Sequence, residues 1–481
     1  MPTATLEVTD RPMLIGDEQV ETDEWSEVPS PYDGSIVGRV PRAGAAETDR
    51  AVRTAHAAFL EDNFPQHERG AVLERAATLV AEHEDDLTLT IAAEAGKPVK
   101  TARVEAQRCV STLQFSAIAA RTLTGEMIPM EGSATGAGKF GYVLRLPLGV
   151  VAAINPFNFP LNLVAHKLGP ALAAGNSVVL KPAGQTPASG LKLAELLIEA
   201  GVPDGWLNVV TGPGSEVGNA LVEHELTAAI SFTGSAPVGW EIRRQAVQKK
   251  VSLELGSTAP LIVMEDGDWE RAADGAGLHA FSHAGQSCIS IQRILVHADV
   301  AEQFTERLIG NVEKLVVGDP MSEETDVGPL ITQGERDRVK EWIEEADAGG
   351  GEILTGGQLV DEDRCLAPTV IREPSREAQV WCAEIFGPVA TLHTVTSLDE
   401  AIGLANDSNF GLHAGIFTRD IGRGLEASKR LEFGGVLINE VPTFRADQMP
   451  YGGVKESGNT REGPAYSVHE FTEERFVSLQ G

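Results

Sequence analysis

The chain has 481 residues, of which 42% are hydrophobic and 23% are charged, so it can bury large cores without disulfide or metal staples. This length predicts two or three domains. Seventy acidic residues against 39 basic ones give a formal net charge of −31. Nucleic acid and anionic membranes are therefore excluded as partners, because both repel a polyanion.

The predicted elements alternate along the chain. Apolar spacing of three to four residues predicts helices over 45–59, 68–82, 162–174 and 187–199. Short apolar runs predict strands over 149–154, 177–181, 207–211, 230–233, 261–264, 293–296 and 367–371. Such alternation implies parallel sheets covered by helices. The Gly-rich residues 131–139 predict a turn of a protruding hairpin between 126–130 and 140–146.

The four cysteines are Cys109, Cys288, Cys365 and Cys382. They form no CxxC pair and none lies at zinc-ligand spacing from a histidine, so we expect no metal site and no disulfide framework. Residues 1–12 lack the pattern of a signal peptide, and no apolar run is long enough for a membrane helix. We expect a cytoplasmic protein. Its acidity fits either an ordinary acidic protein or, as we favour, a halophilic-like surface adapted to high salt.

Three segments carry residues suited to acyl chemistry. Cys288 lies among small and polar residues in FSHAGQSCISI, a setting that suits a reactive thiolate, although a single cysteine is more often a small buried hydrophobe. Glu254 lies in the apolar strand VSLELGS, where burial would make it a general base. Asn158 lies in the turn INPFNFP and could donate to an oxyanion, although Asn and Pro are also ordinary turn formers.

Two further segments suggest a dinucleotide site. Gly212 to Gly218 reads GxGxxxG, one residue longer than the usual fingerprint and therefore a weak signal. FTGS, which ends in Gly234 and Ser235, stands at a strand-to-helix turn whose backbone N–H groups favour a pyrophosphate.

Taken together, these segments resemble the aldehyde dehydrogenase superfamily. The motifs occur in the family's order: INPFNFP, VVLKPAGQTP, FTGSAPVG, LELGS, GQSC, EIFGPV and MPYGGVKESG. The similarity extends from about Ser30 to the C-terminus. The resemblance implies an α/β fold with a Rossmann-type cofactor domain, an α/β catalytic domain and a bridging β-hairpin. It implies a soluble, hydrolytic, non-acylating oxidoreductase that converts an aldehyde to an acid with NAD(P)+.

The resemblance also implies the role of each site residue. Cys288 would be the nucleophile that forms a thioester, Glu254 the base and Asn158 the oxyanion donor. The residues implied to bind the cofactor are Ile154, Lys181, Gly184, Gly234, Ser235, Glu384 and Phe386. Glu462 in GNTREG matches a glutamate of a proton path. The candidates for lining the aldehyde tunnel are Phe157, Leu161, Ser287, Ile289 and Arg445.

Domain boundaries follow from the same resemblance. Residues 1–121 and 144–254 would form the cofactor-binding domain, 122–143 the oligomerisation hairpin, 255–456 the catalytic domain, and 457–481 a C-terminal return with an oligomerisation strand. Such a chain would form a homodimer or homotetramer.

Two departures from the family pattern bear on specificity. Gly184 stands where many NAD-preferring members have a glutamate, which would repel a 2′-phosphate, so we lean toward NADP+. Phe444-Arg445-Ala446-Asp447 resembles members that act on small hydroxy-, phospho- or sulfo-aldehydes. Arg445 could pair with an anionic substrate, or equally with Asp447 or another nearby acid.

Two alternatives remain open from sequence. An acylating enzyme would pass the thioester to coenzyme A, but Glu254 favours water as the acceptor. An inactive structural homologue is disfavoured by the joint presence of Cys288, Glu254 and Asn158.

Overall fold

The computed structural model describes residues 9–480. Its α-helices are α1 (Ala45–Glu61), α2 (Gln66–Glu82), α3 (Glu84–Ala95), α4 (Val99–Thr122), α5 (Asn162–Ala174), α6 (Pro187–Glu199), α7 (Asn219–Glu223), α8 (Ala236–Gln245), α9 (Trp269–His279), α10 (Ala301–Val312), α11 (Gln333–Ala348), α12 (Gln379–Cys382), α13 (Leu398–Asn406), α14 (Ile421–Arg430) and α15 (Pro464–Glu470). None of them is long and apolar enough to cross a bilayer.

The strands alternate with these helices. They are β1 (Thr9–Asp10), β2 (Met13–Ile15), β3 (Glu18–Val20), β4 (Trp25–Pro29), β5 (Ile36–Pro41), β6 (Glu126–Ile128), β7 (Lys139–Pro147), β8 (Val150–Ile154), β9 (Ser177–Lys181), β10 (Leu207–Val209), β11 (Thr227–Thr233) and β12 (Lys250–Glu254) in the first half. The second half has β13 (Pro260–Val263), β14 (Arg293–His297), β15 (Glu352–Thr355), β16 (Leu359–Val360), β17 (Cys365–Leu366), β18 (Thr369–Arg372), β19 (Val389–Val395), β20 (Phe410–Gly411), β21 (His413–Phe417), β22 (Gly435–Ile438), β23 (Val454–Lys455) and β24 (Thr472–Gln480).

Two seven-stranded sheets form the body of the molecule. The first has the order β12-β11-β8-β9-β10-β2-β3, and its strands from β12 to β10 are parallel. The second has the order β15-β18-β19-β14-β13-β21-β22 and is parallel except for its edge strand β15. Apolar side chains fill both faces of each sheet, as parallel sheets require. The predicted α/β class is confirmed.

A third, antiparallel sheet stands apart from these two. It has the order β24-β7-β6, so the predicted hairpin is joined by a strand from the C-terminal segment 457–481, for which an oligomerisation strand is predicted. Its exposed apolar side chains are Met127, Phe140, Leu144, Phe476 and Leu479.

Asn176 fastens this third sheet to the first one. Its side-chain oxygen accepts from the backbone N–H groups of Leu148 (2.7 Å) and Gly149 (3.0 Å), between β7 and β8. Its amide nitrogen donates to the carbonyls of Ala171 (3.2 Å) and Phe471 (2.9 Å), the latter just before β24. One fully buried amide therefore uses all four of its hydrogen-bonding positions to hold two strands of the outer sheet in place.

Most predicted elements have the observed bounds to within a few residues. Helix α5 ends as predicted because Gly175 adopts φ +93°, a left-handed cap, and α6 begins as predicted with proline in its first turn. The predicted strand 367–371 is wrong at its start. It begins at Thr369, because Pro368 cannot donate to a ladder and the Ala367 N–H instead donates to Gln358.

Candidate active site

Three loops leave the first sheet at the carboxyl ends of its parallel strands, which we call its carboxyl edge. Strands β12, β11, β8 and β9 are parallel neighbours, so the ends of β12 (Glu254), β8 (Ile154) and β9 (Lys181) lie side by side, with Ile154 paired to Lys181. In open α/β sheets this carboxyl edge is where ligands bind. The residues predicted for oxyanion stabilisation, general base catalysis and cofactor binding are thus brought to one place.

Cys288 lies in the loop between α9 and β14, opposite this edge. The loop is turned by three consecutive left-handed residues, His283 (φ +51°), Ala284 (φ +53°) and Gly285 (φ +69°). Cys288 is half-buried, and its Sγ lies 2.7 Å from the Tyr451 hydroxyl. Burial raises the pKa of the Cys288 thiol to about 12, although the Tyr451 hydrogen bond and Arg445 act to lower it. The resting side chain is therefore a protonated thiol.

Asn158 connects the loop after β8 to the cysteine loop. Its amide nitrogen donates to the Gln286 carbonyl at 2.9 Å, two residues before Cys288. The side chain is buried, and its oxygen has no partner among residues 9–480. The amide has two N–H groups, so one remains after the bond to Gln286.

A buried ion pair holds the loop that carries Asn158. Glu105 accepts from the backbone N–H groups of Leu161 (2.9 Å) and Asn162 (3.1 Å), where α5 begins. Lys97 donates to the other oxygen of Glu105, and its ammonium lies 3.7 Å from the centroid of the Phe159 ring. Both charged side chains are only 1% exposed. The loop that carries Asn158 is therefore held by backbone hydrogen bonds to the Glu105 carboxylate, which is itself paired with Lys97.

The side chain of Glu254 is buried. It is 4% exposed, and neither carboxylate oxygen has a hydrogen-bond partner within the described chain. Burial and the nearby charge of Glu462 raise the pKa of Glu254 well above its usual value. A methyl group added at Gly452 would lie 2.7 Å from Oε1, so the carboxylate faces the segment that begins with Tyr451. A carboxyl group of this kind can accept a proton near neutral pH.

Arg445 pairs with Glu462. The two side chains form an ion pair of 2.7 Å, and both are almost completely buried. Lys167 Nζ lies 3.7 Å from the other oxygen of Glu462 and donates to Thr233 at 2.6 Å. Although burial acts to raise it, the pKa of Glu462 is lowered to about 2 by Arg445 and Lys167.

The expectation that Arg445 is free to pair with a substrate anion is therefore corrected: its carboxylate partner belongs to the chain. The alternative, a pairing with Asp447 or another nearby acid, is the one observed, and the acid is Glu462. Asp447 instead binds Arg108 at 2.8 Å and contacts His166 Nε2 at 3.2 Å.

The predicted cofactor residues line a separate part of the same edge. Lys181 is buried, its Nζ donates to the Pro182 carbonyl at 3.1 Å, and burial lowers its pKa to about 8. Exposed Gly184 opens onto a cleft of about 490 Å³ together with Gly212 and Pro213. The weak glycine motif thus does reach this cleft, although residues 214–218 form a π-helical turn instead of starting an α-helix.

Ser235 and Gly234 lie where α8 begins. Ser235 is exposed as the residue preceding the helix, and the Gly234 N–H donates to the Glu254 carbonyl at 3.1 Å. This contact ties the start of α8 to the strand that carries the candidate base.

Glu384 and Phe386 approach from the second sheet. Glu384 accepts from the Ser257 N–H at 2.9 Å, and burial raises its pKa to about 7. Phe386 adopts φ +50°, and its ring packs edge-on against Phe157 with 5.8 Å between centroids. The EIFGPV and INPFNFP segments therefore meet in space.

The remaining predicted contact residues differ in how far they are buried. Ile154 is 8% exposed and Leu161 is fully buried, and both side chains pack into the cores of the first sheet. Ile289 is buried against Cys288 and Tyr451. Ser287 and Phe157 are half-buried beside the cysteine loop and the Asn158 loop.

Sequence reasoning missed four residues of the site. Tyr451 stands in the MPYGG motif without a predicted role, Lys167 falls within the predicted helix 162–174, and Lys97 and Glu105 lie in a segment without a predicted site. The available signal was a lysine among apolar residues in LNLVAHKLGPALAA, since a buried lysine is rare unless it is paired.

The whole chain matches known aldehyde dehydrogenases. The model of the aldehyde dehydrogenase family matches residues 19–477. The 3-sulfolactaldehyde dehydrogenase of Priestia aryabhattai is 42% identical over 477 residues, covering 99% of each chain. The lactaldehyde dehydrogenase of Methanococcus aeolicus is 37% identical, covering 96% of this chain and 98% of the relative.

Solved structures agree with these sequence matches. An NADP-dependent enzyme of E. coli superposes with a TM-score of 0.95 at 37% identity, covering 98% of both chains. An NAD-dependent aldehyde dehydrogenase of Sinorhizobium meliloti gives 0.95 at 34% identity, covering 99% of this chain and 95% of the other. The chain belongs to the aldehyde dehydrogenase family. It is an NAD(P)-dependent enzyme, and the predicted family is confirmed.

We predict that the Glu105→Gln variant is destabilised, because it keeps the acceptor for the α5 N–H groups but leaves the Lys97 charge buried without a counterion. Breaking a buried pair in this way costs about 3–5 kcal/mol. Thermal unfolding measures the loss. The Lys97→Met, Glu105→Gln double variant, which removes both charges, should lose less. A Glu105→Gln variant as stable as the wild type would contradict the role that we assign to the ion pair.

Proposed function

We propose that the chain oxidises its aldehyde through a covalent thioester on Cys288, which water then hydrolyses with Glu254 as the base. The observation that carries this proposal is the convergence of a half-buried cysteine, a buried amide and an unpartnered buried carboxylate at the ends of parallel strands. We favour hydrolysis over transfer to coenzyme A because the Glu254 carboxylate, which has no hydrogen-bond partner within residues 9–480, can accept a proton from a water molecule.

Attack begins when Cys288 loses its proton and its sulfur bonds to the carbonyl carbon. The carbonyl oxygen then carries negative charge. The free N–H of Asn158 and the backbone N–H of Cys288 are the donors that we assign to it; losing one such donor costs about 10²–10³ in rate. The Asn158–Gln286 hydrogen bond supports this assignment, since it holds the amide beside the cysteine loop.

When bound, NAD(P)+ supplies the acceptor for the hydride that leaves the tetrahedral carbon. The residues present fit such a group. The ammonium of buried Lys181 has N–H donors left after its bond to the Pro182 carbonyl. A Cβ added at Gly184 would meet no atom within 4 Å, so there is space for a cofactor beside it. Ser235 and Gly234 at the start of α8 would hold the pyrophosphate. Glu384 would hold the nicotinamide ribose, with Phe386 packed beside the ring.

Oxidation leaves a thioester on Cys288, and Glu254 then takes a proton from the water that attacks it. The raised pKa of Glu254 supports this role, because a carboxylate that holds a proton strongly is a better base. Glu462 and Lys167 lie next to Glu254 in the electrostatic network and form the path by which we propose the proton leaves.

We propose NADP+ as the preferred cofactor. The cleft at Gly184 is lined by Ser26, Val40, Pro182, Ala183, Gly184, Pro187, Thr211, Gly212 and Pro213. None of these lining residues, all of them in the described part of the chain, is acidic. A 2′-phosphate placed there would meet no repelling carboxylate.

We propose a small hydroxy- or anionic aldehyde as substrate. The relatives named for sulfolactaldehyde and lactaldehyde support this class. The polar surroundings of Cys288 support it as well, because the Tyr451 hydroxyl and the Arg445 charge lie beside the sulfur. Because Arg445 is already paired with Glu462, it would act on the substrate through its positive charge at a distance and would not form a direct ion pair with it.

The domain division and the assembly are also part of the proposal. The first large sheet ends at Glu254 and the second begins at Pro260, which supports a boundary between cofactor-binding and catalytic domains there. The exposed apolar face of the β24-β7-β6 sheet supports its predicted part in a homodimer or homotetramer.

We expect the Cys288→Ala variant to lose all oxidation. The Glu254→Gln variant should release about one equivalent of reduced cofactor in a fast burst and then turn over about 10²–10⁴-fold more slowly, because only thioester hydrolysis needs the base. Stopped-flow absorbance of the reduced cofactor separates the two phases. Wild-type turnover should rise as pH increases through the raised pKa of Glu254, and Glu254→Gln should lack that rise. A Glu254→Gln enzyme with wild-type steady-state turnover would refute the assignment.

We expect Gly184→Glu to lower the ratio of kcat/KM for NADP+ to that for NAD+ by about ten-fold, because the new carboxylate repels the 2′-phosphate. A Cβ at this position meets no atom within 4 Å, so the change is accommodated. Gly184→Gln is the matched control, with equal size and no charge. An equal ratio in both variants would contradict the proposal.

Lactaldehyde should be oxidised with a kcat/KM about ten-fold or more above that of propanal, which has the same carbon chain without the hydroxyl. A site that hydrogen-bonds a substrate hydroxyl discriminates strongly against the analogue that lacks it. Initial rates of cofactor reduction at matched concentrations measure the ratio. Equal values for the two aldehydes would exclude a hydroxyl-specific site.

A further inference from the structure

Tyr451 makes an unusual contact for a buried tyrosine. It is 2% exposed, and its hydroxyl lies 2.7 Å from Cys288 Sγ. A buried tyrosine hydroxyl normally finds a hydrogen-bond partner. Within residues 9–480 the partner found here is the sulfur itself.

The ring of Tyr451 is fixed on both sides. The Arg445 guanidinium lies 3.8 Å from the ring centroid, and the His413 ring packs edge-on at 4.9 Å. Arg445 is held by Glu462, and His413 by a 3.0 Å contact with the Pro442 carbonyl. The hydroxyl is therefore held toward the sulfur, with a positive charge over the ring that strengthens it as a donor.

We propose that Tyr451 is a catalytic residue of this enzyme, whose hydroxyl donates a hydrogen bond to the Cys288 sulfur and thereby favours the thiolate that attacks the aldehyde. This inference rests on the proposed function, in which Cys288 is the nucleophile. The S–H bond breaks, its proton leaves to water, and the electron pair stays on sulfur, where the O–H of Tyr451 binds it. Tyr451 keeps its own proton throughout.

The need for such a donor follows from the surroundings of the sulfur. Burial disfavours its charged form, and both Glu254 and Glu384 add negative charge that opposes ionisation. Arg445 and the Tyr451 hydroxyl are the groups that act in the opposite direction. His413 contributes no charge near neutral pH, since burial lowers its pKa to about 4. A hydrogen bond to an ionised group is about twice as strong as one between neutral groups.

The test is the pH dependence of Cys288 alkylation by iodoacetamide, followed by mass spectrometry of the peptide, in wild type and Tyr451→Phe. The variant keeps the ring and removes only the hydroxyl. We expect alkylation of Cys288 to be about ten-fold slower at each pH from about 7 to 9, where a ten-fold smaller thiolate fraction corresponds to a pKa raised by about one unit. Exposed Cys382 in the same chain is the internal control and should react equally in both proteins.

An unchanged alkylation rate for Cys288 over this pH range would overturn the proposal and leave Tyr451 as a residue that only lines the site. Because alkylation is read without turnover, this result is distinct from failure of the proposed function, which Cys288→Ala tests. The burst of cofactor reduction should slow in Tyr451→Phe by a similar factor with little change in KM. If the variant unfolds early in thermal melting, both proteins are alkylated at a temperature below its unfolding transition, and an unchanged rate for Cys288 there would equally overturn the proposal.

Discussion

The ion pair between Arg445 and Glu462 is the contact on which the site depends. Arg445 lies over the Tyr451 ring and so fixes the hydroxyl beside the nucleophile. Glu462 adds negative charge that raises the pKa of Glu254. It also pairs with Lys167, whose ammonium donates a hydrogen bond to Thr233 in the first sheet. Taking two charges out of water is costly unless both are well paired, so the pair cannot be altered on one side without disturbing the other. Nucleophile and base are thus tuned by one electrostatic unit.

The order of helices and strands could be predicted because apolar periodicity reports burial directly, and the buried elements α5, α6 and β9 have the predicted bounds. The N-terminal strands β1 to β5 were not predicted. They have only two to six residues each, and all except β2 are partly exposed, so their local pattern carries little signal.

The site was predictable to the extent that single side chains stood out from their surroundings. Glu254 was visible as one charge in an apolar strand, and Cys288 and Asn158 became visible through family resemblance. An acid near Arg445 was one of the two predicted partners, but which acid could not be predicted, because Glu462 is one of many acids in this chain and only the folded arrangement selects it. The role of Tyr451 was equally hidden, since its contact with Cys288 joins residues 163 positions apart.

The pairing of β7 with β24 has a consequence for how the chain is made. β7 begins at Lys139 and its neighbour β24 at Thr472, so synthesis from the N-terminus leaves one edge of β7 without its partner while more than three hundred residues are added. During that interval Phe140 and Leu144 stand on an open strand edge, which is a template for pairing with another chain. The open edge of β7 therefore exposes the nascent protein to aggregation during this interval, and slow translation would prolong the exposure.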